Sequence, residues 1–517
     1  MANDVLSATL SPVVETATGN IRGSVAGGIH AFKGIPYGAS TAGANRFRLT
    51  QPVAAWSGVR DALAYHAKAP QSPAQVKRRA EMDNILGPVD GSPESEDCLT
   101  LNIWTPGLAG KRPVMVWLHG GAFAYGSANR AVTDGANLAR RGDVVVVSVN
   151  HRLNICGYLH LEDIADERFA GSGNAGSLDM VAALEWVRDN IAAFGGDAGN
   201  VTIFGESGGG GKVSALLVMP AAKGLFHRAV IQSGAAVRFT TRERANALTD
   251  VVVKRLGGVD KLQDVPLPAL LGAIIPASKA AGPRAWPLLD RYDFGPVVDG
   301  AVVTQHPAEP ATSPLADIPL MIGGTVREAS LFLDDDAVWH RTLPEDQLRD
   351  RIAAVAGADT DAALKLYREL LPGASAGDRL IAALTGSNFS VRTWLYAERR
   401  AARGGPAVYH YSLDWPSPFA GGRMGAHHAM DLPFVFDTTD VPLSTKGADG
   451  APELAAAMSA TWAAFARTGK PDNPAIPAWP AYDTANRATM VFDTRCRVVN
   501  DPLREARLLW SRVATRP

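Results

Sequence analysis

The chain has 517 residues, and its 51 basic and 52 acidic side chains leave a formal net charge of −1, which offers no electrostatic grip on nucleic acid or an anionic membrane. Hydrophobic residues make up 46% and charged residues 20%, the proportions of a globular protein with a substantial core. No run approaches the ~18–20 apolar residues of a membrane span, and the start MANDVLSATLSPVVETATG lacks both a basic n-region and an apolar stretch of signal-peptide length. Cys98, Cys156 and Cys496 are widely spaced and odd in number, so they form neither a disulfide framework nor a zinc site, and a reducing, cytoplasmic compartment is expected.

Through about Leu49 the chain is rich in glycine and β-branched residues, which predicts short strands and turns in a small antiparallel edge. Apolar strand-sized runs follow at residues 114–118, 144–149, 201–204, 229–232, 319–322 and 407–411. Between the second and third of these, residues 177–194 place Leu178, Val181, Ala182, Leu184, Trp186 and Ile191 at helical spacing. Continuous apolar strands separated by amphipathic helices predict an α/β protein with a mostly parallel sheet covered on both faces. Residues 240–290 and 340–385 are alanine- and leucine-rich with charges at helical intervals, and no proline- or serine-rich linker sets them apart. They are read as helical insertions over the sheet, with residues 1–517 forming one domain. The proline-rich residues 474–482 read as an extended surface segment.

Residues 204–214, FGESGGGGKVS, admit two readings. A phosphate-binding loop needs G-x-x-x-x-G-K-[S/T]; here Glu206 stands where the first glycine is required, and Val213 follows Lys212 where a hydroxyl should meet Mg²⁺. The other reading is a nucleophile elbow, G-x-S-x-G, which requires a strand, a tight turn and a helix. Residues 201–204 supply the strand, and residues 212–219, closed by Pro220, supply good helix formers. Gly205 and Gly209 flank Ser207 where the strand and helix backbones crowd together, and Ser207 itself must accept a strained backbone.

A serine hydroxyl is a poor nucleophile at neutral pH, so it needs a base and a group of donors for the oxyanion. At the end of the first central strand the chain reads His119-Gly120-Gly121-Ala122-Phe123, a small-residue loop of the H-G-G type that points backbone N–H groups at developing negative charge. Gly208 adds its own N–H at a helix start, where the helix dipole favours anions. The chain order Ser, acid, His asks for a late histidine; His427 and His428 sit in a glycine-rich loop ahead of a helix-like stretch at residues 431–436, and periodicity does not choose between them. Glu328 follows the strand at residues 320–322 and its Gly323-Gly324 exit, where a carboxylate can reach the active edge of such a sheet.

These residues resemble one family over nearly the whole chain, the type-B carboxylesterases of the α/β-hydrolase fold. The resemblance lies in FKGIPY at residues 32–37, EDCLTLNI at 96–103, GNAGSLD at 173–179, FGGD at 194–197, GESGG at 205–209, QSG at 232–234 and WAAFARTG at 462–469. It implies Ser207 as nucleophile, Glu328 as acid within TVREASLF, and His428 rather than His427 as base, from the pattern His-x-x-x-Leu-Pro-Phe-Val-Phe. Gly121, Ala122 and Gly208 match the oxyanion-hole positions. Ser233 matches a buried serine that hydrogen-bonds near the triad in relatives, and Arg46 with Glu96 resembles a structural ion pair. The implied function is hydrolysis of small-molecule carboxylic esters with no metal or organic cofactor, in a monomer or dimer.

The chain departs from the family at Ala329, where a glycine is usual, and at Ala69, which stands where exported relatives carry the disulfide partner of the Cys98-type cysteine. No aromatic cation site like that of a cholinesterase is found between Ile85 and Glu94, so choline esters are not the expected substrates. Lys212 is read as a helix-surface or packing residue. Amide or carbamate hydrolysis and acyl transfer on the same triad are open alternatives. A non-catalytic adhesion-type binding protein is the reading from a different class, and it is disfavoured because all three triad positions are filled.

Overall fold

The valine-rich runs at residues 114–118 and 144–149 have no polar face to offer water, and they become the middle of a sheet. In a computed structural model, which describes residues 9–72, 84–282, 293–308, 317–333 and 335–515, thirteen strands form one sheet among the described residues. Its N-terminal side is built from β1 (Thr9–Thr16), β2 (Gly19–Ala26), β3 (Ile29–Pro36), β4 (Val59–Asp61) and β5 (Thr100–Thr105). The centre follows with β6 (Arg112–Leu118), β7 (Val145–Val149), β8 (Gly196–Glu206) and β9 (Arg228–Gln232). A separate two-stranded pair joins β10 (Thr240–Thr241) to β11 (Val297–Val298). The far side is β12 (Leu320–Thr325), β13 (Val408–Leu413), β14 (Ala488–Phe492) and β15 (Arg497–Asn500).

The spatial order is β1-β2-β3-β5-β7-β6-β8-β9-β12-β13-β14-β15, with β4 beside β2. Every neighbouring pair from β7 to β14 is parallel, whereas β1 to β3, β5 and β15 join antiparallel. The expected antiparallel N-terminal edge and parallel centre are both present. In the centre Val116 lies between Val147 and Ile203, and Trp117 between Ser148 and Phe204.

Side chains alternate across this doubly covered sheet. Val114, Val116 and Leu118 enter one core with Val145, Val147 and Ile203, while Met115 and Trp117 enter the opposite core with Val146 and Phe204. Trp117 packs at 5.0 Å between ring centroids on both Phe204 and Phe436. Burying each such side chain contributes on the order of 1.5–3 kcal/mol. The helix predicted over residues 177–194 forms as Ala175–Asn190, continued by a 3₁₀ turn at Ile191–Phe194.

Residues 340–385 carry the helices Glu345–Ala356, Thr360–Leu370 and Ala376–Thr385, and residues 240–282 carry Arg242–Leu256, Leu267–Leu271 and Ile274–Ala280. The remainder of the stretch expected to be helical, residues 283–290, lies outside the described residues. Residues 474–482 have no regular structure, as expected, but they are pinned to the body of the molecule. Trp479 and Tyr482 are buried, and the Tyr482 N–H donates to the Val408 carbonyl.

Arg46 and Glu96 form the expected ion pair with two parallel hydrogen bonds of 2.8 and 2.7 Å. Nη1 of Arg46 also donates to the carbonyls of Leu262, Gln263 and Val265, fastening the N-terminal region to the first insertion. All three cysteines are free. Among the described residues no helix is long and apolar enough to cross a membrane.

Candidate active site

The C-terminal ends of the parallel strands deliver the predicted residues to one edge of the sheet, as strand direction in such a fold requires. Strand β6 ends at Leu118 and opens into residues 119–123, β8 ends at Glu206 and turns at Ser207, and β9 ends at Gln232 before Ser233. The chain leaving β12 reaches Glu328 at the start of the 3₁₀ turn Glu328–Leu331.

Ser207 takes φ 57° and ψ −122°, a conformation that costs a non-glycine residue on the order of 1–3 kcal/mol. The turn is held by its N–H, which donates to Gln232 O at 2.8 Å, and by its carbonyl, which accepts from Gly211 N–H at 3.1 Å. The flanking glycines are there for close approach. A Cβ on Gly205 would stand 2.5 Å from the carbonyl group of Gly209, and one on Gly209 would stand 2.0 Å from the Leu118 oxygen. The same crowding explains a difference from the sequence reading: the helix begins at once, as Gly208–Leu216, and takes the glycine run inside it. Ala122 and Ser233 also hold positive φ, at 53° and 52°.

Glu328 and His428 meet directly, Oε2 to Nδ1 at 2.5 Å, with both side chains closed off from solvent. Since a carboxylate only accepts, Nδ1 is the donor, and Nε2 is the nitrogen turned away from Glu328. The other Glu328 oxygen, Oε1, accepts from the Thr325 N–H at 2.8 Å. The acid turn and the histidine loop are laced together by an isolated bridge between Arg327 and His427, by Arg327 N–H to Ala426 O at 3.0 Å, and by the Ser330 hydroxyl on the carbonyls of Arg327 and Met424. His427 donates from Nδ1 to the His428 carbonyl at 2.7 Å, whereas His428 meets Glu328. Ala329 is accommodated without strain: it is fully buried, has no positive φ, and its N–H donates to Thr385 Oγ1.

Glu206, which the sequence reading used only as part of the motif, lies at the centre of the site. Its Oε1 is 3.1 Å from Nε2 of His428, and the Ser207 hydroxyl makes no hydrogen bond to that nitrogen. Burial pushes the Glu206 carboxyl up to about 8, opposed by the charge of His428 and reinforced by Asp431 and Glu328. Burial alone would depress the His428 imidazole, but Glu206, Glu328 and the hydrogen bond to Glu328 overcome it and lift the group to about 9. The two groups titrate together, so the proton affinity of each depends on the charge of the other.

A third buried acid, Asp431, accepts from Gln232 Nε2 and Tyr411 OH, each at 2.9 Å, while Trp462 Nε1 donates to Gln232 Oε1 at 3.1 Å. Burial raises Asp431 to about 6 despite these hydrogen bonds. The sequence carried one signal for it, an acidic residue three positions after His428 in an otherwise apolar stretch.

The expected Ser233 hydrogen bond is not formed. The side chain is buried beside Gly324 and near Glu328, yet its hydroxyl has no partner among the described residues. Its backbone is left-handed, and the Glu328 oxygen Oε1 accepts instead from the Thr325 N–H. Of the two readings of Lys212, helix surface or packing, the second holds. Its exposure is 0%, because the helix Gly208–Leu216 is covered on every side beyond its first residue.

Gly121, Ala122, Ser207 and Gly208 are all half-buried, as is Phe332, so a small molecule can reach them while His428 and Glu328 stay closed. Phe332 and Phe389 pack on the His428 ring with centroids 4.9 and 5.1 Å away. A backbone of small residues, an imidazole held by a carboxylate and an apolar wall suit acyl chemistry on an uncharged substrate. Away from this edge, His160, Glu162 and Asp163 offer ligand atoms within 4.8 Å of one another, but the Arg242 guanidinium already pairs with Asp163 there.

Comparison with known proteins agrees with the geometry. The carboxylesterase family model matches residues 10–509. The para-nitrobenzyl esterase of Bacillus subtilis (strain 168) is 36% identical over 504 residues, covering 96% of this chain and 97% of the relative. The phenmedipham hydrolase of Pseudarthrobacter oxydans is 34% identical, covering 93% and 94% of the two chains. A crystal structure of the Geobacillus stearothermophilus carboxylesterase at pH 6.2 superposes with a TM-score of 0.82 at 38% identity, covering 97% of this chain and all of the other. The chain therefore belongs to the carboxylesterase family, and it is a carboxylic-ester hydrolase with the α/β-hydrolase fold.

Proposed function

We propose that ester hydrolysis runs through an acyl-enzyme on Ser207, with His428 as general base, Glu328 as its orienting acid, and the N–H groups of Gly121, Ala122 and Gly208 as the oxyanion hole. The observation that carries this reading is the 2.5 Å hydrogen bond from His428 Nδ1 to Glu328, beside a serine held at a strained strand-to-helix turn. The bond leaves Nε2 as the basic nitrogen. As an ester binds, Ser207 turns about its Cα–Cβ bond to place its hydroxyl against Nε2.

In the first half-reaction Ser207 Oγ bonds to the ester carbonyl carbon while its proton passes to Nε2. The tetrahedral oxyanion is met by the three N–H groups, each of which contributes on the order of 3–4 kcal/mol in the transition state. The imidazolium, stabilised by Glu328, then gives its proton to the departing alcohol. Water repeats the sequence on the acyl-enzyme and releases the acid. The aromatic wall at Phe332 and Phe389 favours uncharged substrates, and para-nitrobenzyl and p-nitrophenyl acyl esters are the first to try. The test is hydrolysis of these esters together with labelling by a fluorophosphonate. Wild-type protein is expected to turn over and to be labelled at Ser207, and Ser207→Ala to do neither while keeping its circular dichroism spectrum. Substantial turnover by Ser207→Ala would rule the assignment out.

A further inference from the structure

We infer that Lys212 is a positioning residue for the oxyanion hole, tying the helix that carries one donor to the loop that carries the other two. The inference rests on the assignment of Gly121, Ala122 and Gly208 as those donors. Lys212 is wholly buried, and among the described residues no carboxylate comes within ion-pair distance of its amine. An apolar side chain would fill the same space without the cost of burying an ionisable group. What the amine alone supplies is a donor, and Nζ hydrogen-bonds to the carbonyl of His119 at 2.6 Å.

That carbonyl is the first of two consecutive anchors. His119 Nδ1 lies 2.8 Å from the next carbonyl, Gly120 O, and because a carbonyl only accepts, Nδ1 carries the proton. The His119 ring stacks on His151 at 5.1 Å, and Gly126 has no room for a side chain, since a Cβ there would stand 2.7 Å from Nδ1. A peptide unit is planar and trans, so holding the Gly120 oxygen fixes the direction of the Gly121 N–H on the opposite side of the same plane. The order of support is Lys212 to the His119 carbonyl, the His119 ring to the Gly120 carbonyl, and that peptide to the Gly121 N–H.

The helix end of the strut is equally direct. Lys212 is four residues after Gly208, so the two share one face of the helix Gly208–Leu216. Gly208 is in contact with the loop as well: a Cβ there would stand 2.3 Å from Ala122 N. The three N–H groups thus come from two separate segments, and the Lys212 hydrogen bond is a side-chain link between them. Misplacing such donors by about 1 Å can cost about a hundredfold in rate.

The experiment compares wild type with Lys212→Met, which keeps the length and apolar stem but removes the donor, and with Lys212→Gln, which keeps a neutral donor. Active sites are counted with a fluorophosphonate. Steady-state rates are then measured on a p-nitrophenyl ester, together with binding of an aryl trifluoromethyl ketone, whose carbonyl adds the serine oxygen and sets its own oxyanion among the donors. For Lys212→Met, kcat per active site and ketone affinity are expected to fall together by about tenfold to a hundredfold, with KM within about threefold, and Lys212→Gln is expected to recover part of both. Unchanged kcat and ketone affinity in Lys212→Met, a loss confined to KM, or failure of both variants to fold would overturn the inference. If the wild-type enzyme binds the ketone no more tightly than its ester substrate, the oxyanion assignment itself fails, which is a separate result.

Discussion

Nε2 of His428 lies 3.1 Å from Oε1 of Glu206, the residue immediately before Ser207. The imidazole is therefore flanked by two carboxyl groups, Glu328 on one nitrogen and Glu206 on the other, in a closed pocket. Ionised Glu206 favours the protonated ring, so where it carries its charge it raises the pH at which the neutral imidazole is lost. In Glu206→Gln that support is gone, and the acid limb of kcat/KM is expected to move to lower pH than in wild type. A profile between pH 4 and 9 decides it; a limb that stays put or moves upward contradicts the role given to Glu206.

The same buried acids tie stability to pH. In the folded chain Glu206 keeps its proton up to about 8 against an ordinary 4.5, and Asp431 up to about 6 against 3.8. The folded state then binds more protons than the unfolded chain across this window, so these groups favour folding at low pH and their contribution is lost as pH rises from about 4 to about 8. Glu206→Gln carries no such proton, and its urea midpoint is expected to fall less than that of wild type between pH 5 and 8. An equal or steeper fall would show that Glu206 is not the group responsible.

Glu328→Gln is predicted to lower kcat by about 10⁴-fold with little change in KM, because an amide can also donate to Nδ1 and so stabilise the wrong imidazole tautomer. Steady-state kinetics on enzyme counted by fluorophosphonate titration measures it. A loss below about tenfold would mean that the 2.5 Å bond does not orient the base.

Much of the proposed site was legible in the residues, and the rest was hidden for physical reasons. Ser207 and the 119–123 loop could be proposed because a nucleophile elbow and an oxyanion loop each need a local run of residue types. Glu206 could not, since which way the last residue of β8 points depends on a loop that arrives more than two hundred residues later. For Lys212 a helix-surface and a packing position both stayed open, because a lysine in a helix is ordinarily solvated and nothing local says that this helix is enclosed on all sides; the structure takes the packing alternative. Among the strands, β5 was noted only as a family motif. Its polar Thr100, Asn102 and Thr105 break the apolar run of a strand that is buried along its whole length, where Asn102 Nδ2 reaches Ser148 Oγ at 3.0 Å. The segment at residues 474–482 looked like surface because prolines dominate it, yet its two aromatic residues are anchored in the interior.

Arg152 and Asp179 form a second buried charge pair, with hydrogen bonds of 2.8 and 2.6 Å and side-chain exposures of 2% and 0%. Asp179 also accepts from the Arg152 N–H and the Thr50 hydroxyl. Removing one partner strands the other charge, so Arg152→Met is expected to cost about 3–5 kcal/mol in urea unfolding. The double variant with Asp179→Leu should recover part of that loss. If the single variant loses less than about 1 kcal/mol, the pair is not holding the two segments together.

The bridge between Arg327 and His427 has a further consequence for how the enzyme ages under heat. Because this bridge and the Arg327 N–H on the Ala426 carbonyl stitch the Glu328 turn to the His428 loop, fraying of one is expected to loosen the other. With Glu328 and His428 acting together as proposed, heating is expected to remove both at once, so turnover per fluorophosphonate-labelled site should hold steady while the labelled fraction falls.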